Sequence, residues 1–133
     1  MKFLKLSIVV LFAIALSSCG ENVTKNCAQA DWVGTYTGSI DCDGDVEDVT
    51  VSITASGTDA VVIQFVQGSA GSTLETTYDP ITPDACELNE SATESGLTIT
   101  IAADVDKDGN LTLSETFSDG TDSSTCTITA TKQ

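Results

Sequence analysis

The sequence is 133 residues long, with a formal charge of −15 at pH 7, no His and five Cys. This length suits a single domain. The acidic excess excludes a general nucleic-acid-binding protein, because no basic patch is available to meet phosphates. Since His is the commonest general base and metal ligand, its absence predicts a protein that is not an enzyme.

The N-terminus has the pattern of an export signal. Two lysines precede an apolar run over residues 6–16 that is interrupted only by Ser7. This run is shorter than the about 20 residues that a membrane-spanning helix needs. Residues 1–18 are therefore predicted to be a signal peptide.

The segment that ends this signal, Leu-Ser-Ser-Cys at residues 16–19, resembles the lipobox of bacterial lipoproteins. The resemblance implies that the chain is cut before Cys19 and that Cys19 is acylated. Several acyl chains together form a stable membrane anchor. We therefore expect a lipoprotein of the bacterial cell envelope, held at the outer membrane, with residues 19–31 as a lipidated tether. After cleavage before Cys19, three lysines and 20 acidic residues would remain, which gives the mature chain a formal charge of −17.

Residues 32–133 are predicted to form an all-β domain. Apolar residues alternate with Thr, Ser, Asp and Glu, as expected for strands with one wet face. Turn-forming Gly, Pro, Asp and Asn residues divide the alternation into eight segments. Eight consecutive strands predict an antiparallel up-and-down meander that closes into a small barrel, with a β-sandwich as the alternative. The apolar positions of the eight segments are Tyr36/Ile40, Val49/Val51/Ile53, Val61/Ile63/Phe65, Leu74/Tyr78, Cys86/Leu88, Leu97/Ile99/Ile101, Leu111/Leu113/Phe117 and Cys126/Ile128/Ala130.

The first of these segments opens with Trp-Val-Gly-Thr-Tyr at residues 32–36, which resembles the start of a lipocalin barrel. Small lipocalin-like domains occur in bacterial lipoproteins, often from the Bacteroidetes group. The resemblance implies a barrel base at Trp32, Gly34 and Tyr36, where Tyr36 or Trp32 would plug the closed end. The chain departs from the family pattern because it has no Arg to pack across this base.

We expect the barrel to be a monomeric binding or structural module for a small apolar ligand. Its proposed inward residues are medium-sized, so they could also fill an eight-stranded barrel. The alternatives are a calcium-stabilised surface protein and a protein-interaction or inhibitor module without a ligand cavity. The proposed inward residues are Val51, Ile63, Leu74, Leu88, Ile99 and Leu113.

Apart from Cys19, four cysteines remain: Cys27, Cys42, Cys86 and Cys126. An even number in an exported domain predicts two disulfides. A closed meander brings the last strand beside the first, which favours the pairs Cys42–Cys126 and Cys27–Cys86. Proximity in the sequence alone would favour the pairs 27–42 and 86–126.

Residues 104–115 match the twelve-residue calcium loop of EF-hand proteins. The pattern has carboxylates at Asp104, Asp106, Asp108 and Glu115, a Gly at its sixth position and a carbonyl from Asn110 at its seventh. Both flanking segments are predicted to be strands, whereas an EF-hand has helices there. The alternative is a hairpin turn whose acidic residues are exposed to solvent.

Overall fold

The computed structural model describes residues 26–68 and 74–133. The predicted signal peptide, Cys19 and the first part of the predicted tether lie outside these residues. No helix in the described segments is long and apolar enough to cross a membrane. One short helix is followed by eight strands: α1 Gln29–Trp32, β1 Gly34–Cys42, β2 Asp45–Ser56, β3 Ala60–Gln67, β4 Leu74–Thr77, β5 Glu87–Glu94, β6 Leu97–Val105, β7 Asn110–Ser118 and β8 Ser123–Lys132.

The eight strands form one antiparallel sheet in the order β4-β3-β2-β1-β8-β7-β6-β5. The sheet curls into a half-barrel in which the first and last strands pair, with Gly38 opposite Ala130 and Cys42 opposite Cys126. The predicted all-β meander is therefore confirmed, and the strands lie in one sheet rather than in the two sheets of a sandwich. The edges of this sheet are β4 and β5, which share no ladder in the described residues.

A single apolar core lies inside the curl, where alternate residues of the strands meet. Four of the six residues proposed to face inward, Val51, Ile63, Leu88 and Leu113, are buried there. Ile99 is only half buried, and Leu74 is 59% exposed. Leu74 lies on the inner face, opposite Gln67 of β3, but it stays exposed because it begins the edge strand β4 on the open side of the sheet.

The open side follows from the path of the chain after β4. Ile81 exchanges two backbone hydrogen bonds with Val61, at 2.8 and 2.9 Å, so the segment stays beside β3. Pro80 and Pro83 lie in this segment and have no N–H to donate to another strand. The chain therefore crosses the base of the half-barrel and enters β5 without pairing β4 with β5.

Candidate ligand-binding groove

A groove of about 530 Å³ lies on the open side, between the chain that follows β4 and the inner faces of β5 and β6. We call it the lateral groove. Residues 78–82 form one wall, and Glu90, Ala92, Ile99 and Ile101 form the floor and the other wall. The floor is continuous with the core, because Ile101 is itself buried.

The apolar floor stays accessible because no strand covers it. The inner face of β5 is buried at Leu88 but exposed at Glu90 and Ala92, which lie further along the same face. Ile99 of β6 is likewise only half buried. In a fully closed barrel these positions would lie inside, whereas here they line the lateral groove.

A buried acidic side chain lies next to the lateral groove. Glu115 is 6% exposed and is the single buried charged side chain in the described residues. It lies on β7 directly opposite Ile101, and its carboxylate accepts a hydrogen bond from the Tyr78 hydroxyl. The Tyr78 ring packs against Phe65, with 6.0 Å between the ring centroids. Because Ile101 and Tyr78 both line the groove, Glu115 lies directly behind its inner wall.

The electrostatics of this pair follow from its burial. Burial raises the pKa of the Glu115 carboxyl above its ordinary value, and the hydrogen bond from Tyr78 offsets part of that rise. Burial also raises the pKa of Tyr78, and the hydrogen bond to Glu115 and its charge act in the same direction. The phenol therefore remains protonated and acts as the donor.

One end of the half-barrel, its base, is closed by two of the residues that were predicted to lie there. Trp32 is fully buried, and its Nε1 donates to the Ala85 carbonyl at 2.9 Å. The Tyr36 hydroxyl donates to the Trp32 carbonyl at 2.7 Å. Both aromatic side chains therefore plug this end, and α1 carries Trp32 into place.

Lys132 packs across this base. Its Nζ donates to the Asp31 carbonyl at 3.0 Å and lies 5.8 Å from the centre of the Tyr36 ring. Gly34 leaves room for this side chain, because a Cβ at that position would come within 2.5 Å of the Lys132 Cε. No pattern in the sequence predicts this role for Lys132.

The two disulfides are the pairs that the closed meander favours. Cys42 and Cys126 join β1 to β8, with 4.2 Å between their Cα atoms. Cys27 and Cys86 join the segment before α1 to the chain that enters β5, with 4.8 Å between their Cα atoms. The alternative pairing by sequence proximity is therefore wrong, because the folded meander brings distant segments together.

The predicted calcium loop does not form. Asp104 faces outward opposite Thr112, whereas Glu115 lies three residues further along β7 and faces inward. Three residues of strand separate the two positions by about 10 Å as well as placing them on opposite faces. Within the described residues, no group of three or more acidic or Cys side chains is arranged to hold a metal ion.

The centre of that segment is instead an ordinary turn. Asp106 Oδ1 accepts the backbone N–H groups of Asp108 and Asn110, each at 2.9 Å, and its Oδ2 accepts the Asn110 side-chain amide at 2.8 Å. Gly109 has a φ of 83°, which a turn requires and which few other residues adopt. The hairpin alternative is therefore correct for the turn, but not for its exposed acidic residues, because Glu115 is buried and Asp104 and Asp106 are half buried.

Comparison of the chain with protein-family models, with curated proteins and with solved structures finds no match. The function proposed below therefore depends on the sequence patterns and the geometry of the lateral groove.

Proposed function

We propose that this protein is a lipid-anchored binding module of the bacterial cell envelope that holds one small apolar ligand in the lateral groove. The observation that carries this proposal is the accessible apolar floor at Ala92, Ile99 and Ile101, which is left open because β4 and β5 do not pair. Its volume of about 530 Å³ falls within the range of small-molecule sites in proteins.

The feature that supports the membrane anchor is the lipobox-like ending at Cys19. The disulfide of Cys27 to Cys86 fixes the start of the described chain at the base of the half-barrel. A tether that enters there would leave the lateral groove and the opposite end of the barrel uncovered.

Ligand binding is testable with N-phenyl-1-naphthylamine, a neutral apolar fluorophore. Trp32 is the single tryptophan of the chain, so energy transfer from Trp32 reports probe that is bound to the protein rather than to lipid or detergent. We expect saturable transfer with one probe per chain. Ala92→Phe should abolish it, because the added ring fills the groove.

The matched control is Ala102→Phe, which places the same ring on the outer face of β6, where Ala102 is also exposed. This variant should bind the probe as the wild type does. The proposal fails if the wild type shows no saturable transfer, or if the two Phe variants bind equally.

The anchor is tested separately with Cys19→Ser. This variant should not incorporate labelled fatty acid and should leave the detergent phase in phase separation, because the acylated thiol is gone. An unchanged partition between the two phases would overturn the lipoprotein assignment.

A further inference from the structure

The carboxylate of Glu115 is incompletely paired. Tyr78 is its sole hydrogen-bond partner among the described residues, and this bond uses one of its two oxygens. No buried side-chain oxygen in that part of the chain lacks a partner. The second oxygen of Glu115 therefore keeps a small contact with solvent, although the residue as a whole is only 6% exposed.

The lateral groove has carboxylates on both sides and no basic side chain. Asp79 stands on one wall and Glu90 on the other, and Glu115 lies behind Tyr78. The described lysines are at the base end of the half-barrel, where Lys107 lies in the β6–β7 turn and Lys132 packs on Tyr36. Nothing in the described chain therefore neutralises the charge at the groove.

This arrangement combines an apolar floor with an unneutralised negative potential. Removing a carboxylate from water is costly unless a cation or hydrogen-bond donor pairs with it. The Tyr78 ring adds an aromatic face, which attracts cations, and above all quaternary ammonium groups. An anionic ligand would be repelled by Asp79 on one wall and by Glu90 on the other.

We propose that the ligand of the lateral groove is a cationic amphiphile. Its alkyl chain would lie on Ala92 and Ile99, and its amine or quaternary ammonium group would pair with Asp79 and Glu90 on the two walls, where the buried carboxylate of Glu115 behind Tyr78 adds to the negative potential. This inference rests on the proposed function, because it specifies the ligand class of the same groove.

The test uses the full chain in phosphatidylcholine vesicles and three ten-carbon probes: decyltrimethylammonium, 1-decanol and decyl sulfate. Each probe displaces N-phenyl-1-naphthylamine, and energy transfer from Trp32 measures the displacement. Glu115→Gln removes the charge but keeps an oxygen that can accept from Tyr78. It should weaken binding of decyltrimethylammonium about tenfold and leave 1-decanol unchanged, as expected when one buried charge close to the bound cation is removed. Decyl sulfate should displace the fluorophore least.

The matched control is Glu87→Gln, which changes the net charge equally on the outer face of β5. It should alter each displacement less than twofold. Glu90→Gln, at an exposed position, gives a second variant that does not disturb the core, and it should weaken decyltrimethylammonium about threefold. In 0.5 M NaCl the general attraction to an acidic surface disappears, whereas the tenfold ratio between wild type and Glu115→Gln should persist.

The outcomes separate this inference from the proposed function. The inference is overturned if Glu115→Gln and Glu90→Gln both bind decyltrimethylammonium as tightly as Glu87→Gln does. If Ala92→Phe still abolishes binding in that case, the groove binds apolar ligands without charge recognition and the proposed function stands. If no probe displaces the fluorophore from the wild type, both proposals fail.

Discussion

Replacing Cys42 and Cys126 together by Ala should cost the protein about 4 kcal/mol of its free energy of unfolding. The disulfide closes a loop with a sequence separation of 84 residues, and Cys27–Cys86 closes one of 59 residues. In the chain-entropy description, loops of this size restrict the unfolded state by about 4.6 and about 4.2 kcal/mol respectively. The two double variants should therefore be destabilised almost equally, although one bridge joins paired strands and the other joins the segment before α1 to β5.

Such losses are large compared with the about 5–15 kcal/mol by which most domains are stable. Each double variant should melt roughly 15–30 °C below the wild type, since about 1 kcal/mol shifts the midpoint by roughly 4–8 °C in a domain of this size. Reduction of both bridges in the wild type should bring the protein to the edge of unfolding at room temperature.

The measurement is guanidinium denaturation of the wild type and the two double variants, followed both by Trp32 fluorescence and by far-ultraviolet circular dichroism. Fluorescence reports the base and circular dichroism reports the sheet, so coincident curves would justify two-state analysis. Losses below about 1 kcal/mol in either variant, or a difference above about 2 kcal/mol between them, would contradict the loop-entropy argument.

The remaining predictions concern the base, the β1–β8 pair, the buried acid and metal ions. Trp32→Phe should lower the free energy of unfolding by about 1–3 kcal/mol in chemical denaturation, because the Ala85 carbonyl loses its donor. Gly38→Ala should cost at least about 1–3 kcal/mol, because its Cβ would lie 2.0 Å from the Thr129 carbonyl oxygen and force β1 away from β8; a wild-type melting curve would contradict this close approach. The folded-state pKa of Glu115 is raised, so the stability that this carboxyl contributes is retained below its ordinary pKa of 4.5 and is lost as the pH rises through the folded-state pKa. Glu115→Gln should flatten that part of the profile of unfolding free energy against pH. An unchanged slope would refute the assignment. Melting midpoints should rise equally with millimolar calcium and magnesium at constant ionic strength, and a larger shift with calcium would restore the metal site.

The order and type of the elements could be predicted from the sequence because the signal for a strand is local. Val49, Val51 and Ile53 alternate with polar residues, and all three are buried on one face of β2. Side chains on a strand alternate between two faces, so this pattern indicates its inner face before any partner strand is known. The disulfide pairs followed from the same meander once β1 and β8 were assumed to be neighbours.

The interior position of Glu115 had a local signal that the motif match obscured. Leu111, Leu113 and Glu115 share one strand face, and the first two are fully buried. The alternation therefore predicts an inward Glu115, whereas the calcium motif placed it in a loop. Only the register of β6 with β7 showed that Asp104 and Glu115 lie on opposite faces.

The sequence by itself determined an acidic, all-β chain with eight strands, a buried tryptophan and two disulfides. The tertiary structure alone decided where the barrel stays open and what lies beside the opening. Whether β4 and β5 pair depends on how the segment after Tyr78 hydrogen-bonds to β3 and crosses the base. The alternation of side chains along the sequence does not predict this path. The contact of Tyr78, which directly follows β4, with Glu115 on β7 likewise joins residues 37 positions apart, and β4 and β7 are not neighbours in the sheet. Patterns along the chain specify the face of a strand, whereas contacts across the core depend on how the whole sheet curls.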